Sequence, residues 1–395
     1  MRFLFSAVPA HGHILPLVPL MEAAAEAGHS VALLTAGAIQ HDIAPELPPG
    51  VLFLAAGSMP GEFSADAARR TGADVFHPTP AVIGEIFGGS RLDLGGAESV
   101  ARARAFAPDL VIAEAFDAVG PLLAAHLGVP WHQAGLGPAL PTVIREAITG
   151  VARTRHEEAG VRVTEAESYL DPCPPLLQDP EFHSTLPVRP VRVRAHRRTK
   201  GSASLPAFHA PDKPTVLVTL GTIFSDPAVL ASVVDAVAGH DVNVLATLGS
   251  ALTLDDDTAP EHGRAAPADG VRPSGAEVRH VPFVPLDELL ATADVVVAAG
   301  GAGTVLGALA RGVPMVLWPQ GADQPLNAGR AAASGTAINV GCAEAVALVL
   351  PRLLEPDSSY HRRAREAATE IARRPDWAQV VEDLTSEAAK ADAGH

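Results

Sequence analysis

Nearly unbroken apolar runs alternate along this chain with stretches whose apolar residues fall three and four apart, and the alternation predicts strands and helices in turn. Phe3 to Val8 reads as a first buried strand. PLVPLMEAAAEAGH then sets Leu17, Leu20, Met21 and Ala24 on one helical face, with Gly28 placed to close the helix, and SVALLTA returns to a strand. PDLVIAEAF, the helical AVGPLLAAHLG and VPWHQ repeat this order. A β-α-β order predicts a parallel sheet with right-handed crossovers. Residues 140 to 187 are poor in clear strands, and the segments around 57 to 95 and 135 to 180 read as apolar loops.

The pattern starts afresh at PTVLVTLGT and continues through a helical stretch to Ala238, VNVLATLG, EVRHVPFVP, ADVVVAAGG and GVPMVLWPQ. A phrase recurs: LLAAHLGVPWHQAG in the first half matches LGALARGVPMVLWPQG in the second, a helix closed by Gly, then Val-Pro, then a strand. Two similar open α/β domains follow, at 1–198 and 214–374, joined by a Gly, Ser, Ala and Pro-rich linker at 199–213. RPDWAQVVEDLTSEAAKA, within 375–395, predicts an amphipathic helix with Trp377, Val380, Val381 and Leu384 on one face. The basic cluster of Arg189, Arg192, Arg194, Arg197, Arg198 and Lys200 reads as a solvated edge strand and linker. DDDT at 255–258 lacks the turn glycine and closing glutamate of a calcium loop.

Composition narrows the function. A formal charge of −16 disfavours nucleic acid and anionic membrane as partners, because both demand a basic surface. No apolar stretch is long enough for a transmembrane helix. The only two cysteines, Cys173 and Cys342, lack a metal-ligand or disulfide spacing, so no metal site is expected and a reducing cytoplasm is.

Two places carry chemistry. AHGHILP sets His11 and His13 at the carboxyl end of the first strand, where open α/β sheets gather ligands. An imidazole there suits removal of a proton from a hydroxyl near neutral pH, above all when a carboxylate holds its other nitrogen. Glu114, at the end of another strand of the same domain, is the candidate partner, with Asp117 as competitor. The second place is AAGGAGT, Ala298 to Thr304, in which a strand, a glycine loop and a helix start form an anion cradle. Its G-x-G-x-x-x-G spacing, late in its domain, departs from a dinucleotide fingerprint, and no P-loop motif occurs anywhere.

ADVVVAAGGAGTVLGALARGVPMVLWPQGADQPLNA resembles the donor signature of family 1 glycosyltransferases, and GHILPL, VLVTLGT and HVPFVPLDELLATAD fit that family in the same order. The resemblance spans nearly the whole chain, and its Ala, Arg and Pro-rich style is similar to actinobacterial enzymes that decorate natural products. It implies the α/β GT-B fold, two Rossmann-like domains with parallel sheets facing across a cleft, and a final helix crossing back to the first domain. It implies an inverting, metal-independent transfer of a deoxysugar from a TDP- or UDP-sugar to a hydroxyl of a small hydrophobic acceptor, without a cofactor. It leaves a homodimer open. His13 matches the general base and Glu114 its acidic partner, one methylene longer than the aspartate frequent in relatives. Phe283 and Val284 match the segment flanking the nucleobase. Gly221, Thr222, Gly301, Gly303 and Thr304 match diphosphate contacts, Asp323 and Gln324 contacts to sugar hydroxyls, and Asn327 a polar contact near the donor. One departure stands out: the family usually has His directly before the double glycine, where this chain has Ala299. A lost charged hydrogen bond costs ~1.5 to 3 kcal/mol, which weakens a donor site without abolishing it. A non-catalytic sugar-nucleotide-binding homologue or modulator of a partner transferase, and a nucleotide-sugar epimerase, are the alternative readings.

Overall fold

The computed structural model describes residues 1–75, 77–198, 205–221, 226–248 and 269–393. Thr222, the linker segment 199–204 and the acidic segment 255–258 lie outside the described residues. The chain divides into two units, the first made of Met1–Cys173, Pro180–Arg192 and Pro375–His395, the second of Pro174–Asp179 and Val193–Arg374. The division thus falls after Arg192, earlier than 198, and a short stretch before 180 belongs with the second unit. Local bonds explain both shifts. The Asp287 N–H donates to the His196 carbonyl at 3.0 Å, and Arg330 pairs with Asp179.

In the first unit the apolar runs form strands β1 (Arg2–Ser6), β2 (Ser30–Thr35), β3 (Leu52–Ala55), β4 (Leu110–Glu114), β5 (Trp131–Ala134), β6 (Tyr169–Asp171) and β7 (Val188–Pro190). They lie in the order β3-β2-β1-β4-β5-β6-β7, every pairing parallel. Strands covered on both faces need continuous apolar sequence, which is why β1 and β4 read as runs and not as alternations. The order reverses between β1 and β4, and the carboxyl ends of those two strands flank the switch point at which such sheets hold ligands. The helix Val18–Glu26 buries Leu20, Met21 and Ala24 against this sheet. The final helix, Trp377–Ala393, adds Val380, Val381 and Leu384 to the same core.

The segments read as loops are largely helical: Pro60–Thr71, Pro80–Gly84, Arg91–Phe106 and Thr142–Glu158 are α-helices, and Glu85–Ser90 is a π-helical turn. Thr142–Glu158 buries only a narrow stripe of Ile148, Ala152 and His156, too few apolar positions to announce a helix. Close backbone approach compensates for that thin stripe. A Cβ on Gly88, in the π turn, would sit 2.4 Å from the Ile148 carbonyl oxygen.

The second unit repeats the plan with β8 (Thr215–Thr219), β9 (Asn243–Thr247), β10 (Gly270–Val271), β11 (Glu277–Val281), β12 (Val295–Ala298), β13 (Met315–Leu317) and β14 (Ala337–Asn339), ordered β10-β11-β9-β8-β12-β13-β14. Only the β10–β11 pairing is antiparallel among the described residues. The recurring phrase has one structural meaning in both units: Gly128 (φ +67°) and Gly312 (φ +71°) each close a helix in the left-handed region before the next strand. No helix of the described residues is long and apolar enough to cross a membrane.

A polar cluster links β5, β7 and the final helix in the first unit. His132 on β5 is buried, its Nδ1 lies 2.8 Å from the Ser168 hydroxyl, and Arg189 donates to both Ser168 and Glu387 of the final helix. Burial first, and the Arg189 charge second, hold the His132 pKa down to about 4 from an ordinary 6.5. The unfolded chain therefore takes up this proton first, and stabilisation present above about pH 6.5 is lost as the pH falls toward 4. Between about pH 7 and about pH 5 the loss should reach about 2 kcal/mol. Thermal unfolding at the two pH values should show that component in the native protein and not in His132→Gln.

Candidate active site

The first group of candidate residues follows from where β1 and β4 end. Ser6 of β1 sits in register with Ala113 of β4, so the residues leaving the two strands emerge side by side. After β1 the chain turns through Ala10 in extended conformation into a short helix, His11–Ile14. The His13 Nδ1 lies 3.1 Å from Glu114 Oε1. The carboxylate is buried and held by main-chain donors: the Val8 N–H donates to Oε1 at 3.2 Å and the Phe116 N–H to Oε2 at 2.8 Å. An acceptor-only carboxylate fixed in this way receives the Nδ1–H of His13 and leaves the lone pair on Nε2. The His13 side chain keeps 19 % exposure while that of Glu114 has none, so the ring can meet a substrate and its partner cannot. The ring of Phe116 stands edge-on to His13 at 5.2 Å between centroids, Phe87 is 5.2 Å beyond it, and Phe63 lies 5.9 Å from Phe87.

Asp117, the other candidate partner, is engaged elsewhere. Arg91 donates to its Oδ1 from Nε at 2.8 Å, and the Gly120 N–H donates to Oδ2 at 2.9 Å.

The second group gathers at the carboxyl ends of β8, β11, β12 and β13. Gly221 follows β8 with φ +84° and is exposed. Phe283 and Val284 follow β11, the former half-buried and the latter buried. After β12, Gly300 takes φ +92°, open to glycine and strained for other residues, and Gly301 caps the helix Ala302–Arg311. The Thr304 N–H turns back onto the Gly301 carbonyl at 3.0 Å. The Thr304 N–H is thereby engaged within the turn, which makes the N–H groups of Ala302 and Gly303, at the first two helical positions, the candidate anion donors. No acidic residue occupies that first turn, so the helix places no carboxylate of its own where an anion would bind. Gly303 is exposed and a Cβ there would meet nothing within 4 Å, which leaves the cradle open to a ligand.

The PQGADQPLN segment buttresses this loop. Asn327 is buried and divides its amide between the Gly300 carbonyl, at 3.0 Å, and Asp323 Oδ2, at 2.8 Å. Gln324 is also buried, and its Oε1 accepts the N–H groups of Gln320 at 2.7 Å and Gly321 at 3.1 Å. Ala322 is held at φ +53°, a conformation that costs an L-residue energy and clusters at functional sites. Asp323 itself is exposed at the start of the helix Gln324–Ala333.

Models of two halves of one family match this chain: the N-terminal domain of the erythromycin biosynthesis protein CIII-like family over residues 94–221 and its C-terminal domain over 245–386. The elloramycin glycosyltransferase ElmGT of Streptomyces olivaceus is 30 % identical over 401 residues, covering 97 % of each chain. The chain belongs to this glycosyltransferase family. The L-demethylnoviosyl transferase of Streptomyces niveus is 29 % identical, with 98 % of each chain covered. The crystal structure of the glycosyltransferase SsfS6 of Streptomyces sp. SF2575, complexed with thymidine diphosphate, superposes with a TM-score of 0.76 at 27 % identity, over 98 % of this chain and 99 % of that one. The fold is GT-B, and the protein is an enzyme of the natural-product glycosyltransferase class.

In this glycosyltransferase Ala299 is buried, with 2 % exposure, among the core residues that include Val295 and Val297. Its methyl group is part of that core. The sequence pointed to His13 and Glu114 because each ends an apolar run. It carried no signal for Arg91 as the partner of Asp117, for the Phe116 N–H as a support of Glu114, or for Asn327 as the tie between Gly300 and Asp323.

Proposed function

We propose that this enzyme transfers a deoxysugar from a thymidine-diphosphate donor to a hydroxyl of an apolar natural-product aglycone, with inversion at the sugar. The observation that carries the reading is the His13–Glu114 pair, a partly exposed imidazole whose Nδ1 meets a fully buried carboxylate. In this reading Nε2 of His13 takes the acceptor hydroxyl proton as that oxygen attacks the anomeric carbon. The departing diphosphate gathers charge, which the Ala302 and Gly303 N–H groups, the Thr304 hydroxyl and the helix dipole stabilise without reorganising. Gly221 gives the backbone room beside the same phosphates, Phe283 and Val284 flank the base, and the second carboxylate oxygen of Asp323 takes a sugar hydroxyl. Gln324 and Asn327 hold the loop that presents these groups. The half-buried rings of Phe116 and Phe87 offer an apolar wall beside His13 for the acceptor. With only two cysteines in the chain, far apart in sequence, a reducing, cytoplasmic setting belongs to the same reading.

The test is thermal unfolding with nucleoside diphosphates, followed by single-turnover transfer with a TDP-sugar and candidate aglycones. TDP at a hundred times its dissociation constant should add ~2.7 kcal/mol and raise the melting temperature, UDP less. No shift with any nucleoside diphosphate at millimolar concentration would sink the donor site, and a larger shift with UDP would transfer the donor preference to uridine.

A further inference from the structure

The peptide group between Ala7 and Val8, at the end of β1, is gripped from both sides. Its N–H donates to Glu114 Oε1 at 3.2 Å. Its carbonyl oxygen accepts from Arg91 Nη2 at 2.8 Å and from the Thr35 hydroxyl at 3.0 Å. Arg91 is almost fully buried, and its Nε and Nη2 both reach Asp117 Oδ1, three residues after Glu114. A buried guanidinium thus ties the end of β4, through Asp117, to the peptide whose N–H supports Glu114 Oε1, the oxygen that meets His13.

We propose that Arg91 and Asp117 are positioning residues for the His13 base: they fix the tilt of the Ala7–Val8 peptide and thereby the orientation of Glu114 and of the His13 ring. The proposal rests on His13 being the base. Hydrogen bonds in a chain polarise one another, so a cation on the carbonyl makes the N–H at the far end of the same peptide a better donor to Glu114. Nη2 alone reaches both acceptors, and the second bond, from Nε to Asp117, fixes the plane of the guanidinium, a constraint that lysine's rotating ammonium does not supply. The π turn Glu85–Ser90 immediately precedes Arg91.

Removing one member of a buried ion pair strands the other charge and can unfold the protein, so the informative variant neutralises both. Arg91→Met/Asp117→Leu should fold, bind TDP with the same thermal shift and keep the donor KM, yet lose between ten- and a hundredfold in kcat, the range expected for misplacing a catalytic group. Arg91→Lys, which keeps the charge, should lose less and guards against the double variant failing to fold. The deciding measurement repeats the changes on the His13→Ala background. If Arg91 acts through His13, they cost nothing further there, because residues working as one unit are not additive. The same fold-loss on both backgrounds, or an unchanged kcat in the double variant, overturns the proposal and leaves the pair structural. A His13→Ala enzyme that keeps full kcat overturns the base assignment itself, a result distinct from either.

Discussion

His13→Ala is expected to lower kcat by roughly 10²- to 10⁴-fold, the range that general-base catalysis supplies. The magnitude follows from the task. An aglycone hydroxyl is a weak nucleophile until its proton leaves, and the imidazole that meets a carboxylate through Nδ1 at the β1–β4 switch point is that of His13. His11 lies two residues earlier in the same short helix and provides the control. The thermal shift with TDP should survive His13→Ala, because the proposed diphosphate cradle, Ala298 to Thr304, belongs to the second unit. Measuring kcat and the TDP shift on one preparation separates a lost base from a lost fold. Equal turnover in the native and His13→Ala proteins would remove His13 from the mechanism.

Glu114→Gln should cost nearly as much in kcat and should also destabilise the protein. The buried carboxylate receives three donors: the Val8 N–H, the Phe116 N–H and the His13 Nδ1–H. A carboxamide has a single oxygen, so its NH₂ group must face the Phe116 N–H on one side or the Val8 N–H and His13 on the other, at a cost of about 1–3 kcal/mol for each unsatisfied group. If that NH₂ turns toward His13 it donates to Nδ1, drives the ring proton onto Nε2 and abolishes the base, with a loss on the order of 10²- to 10⁴-fold. Glu114→Asp keeps the charge but shortens the reach, and should fall between the native enzyme and Glu114→Gln. The expected pattern for Glu114→Gln is a lowered melting temperature and a lowered kcat, with the donor KM unchanged. A Glu114→Gln enzyme with native kcat would assign Glu114 to packing alone.

Much of this was legible in the chain because strands covered on both faces must be apolar along their length. Phe3–Val8, PDLVIAE and ADVVVAA declared themselves as strands, and their ends marked His13, Glu114 and the glycine loop. The recurring Gly-Val-Pro phrase declared the second unit, since Gly128 and Gly312 end equivalent helices. Where burial falls on few positions the signal faded. Thr142–Glu158 is 17 residues of helix with one narrow buried stripe that includes a histidine, and it reads as loop. The stretch around Glu85–Ser90 departs from helical periodicity because a π turn adds a residue to the cycle.

Sequence alone determined the class of architecture, and it marked a candidate base, two competing carboxylates and a glycine loop suited to an anion. These rest on local rules of period, turn and strand end. Tertiary structure decided which carboxylate His13 meets: Glu114 faces His13, while Asp117 is held by Arg91 and the Gly120 N–H. It also decided that Asn327 braces Gly300 and Asp323, that the Thr304 N–H turns inward, and that Ala299 fills core. A side chain's partner is set by which surfaces close on it once strands distant in sequence stand side by side, and no spacing along the chain records that.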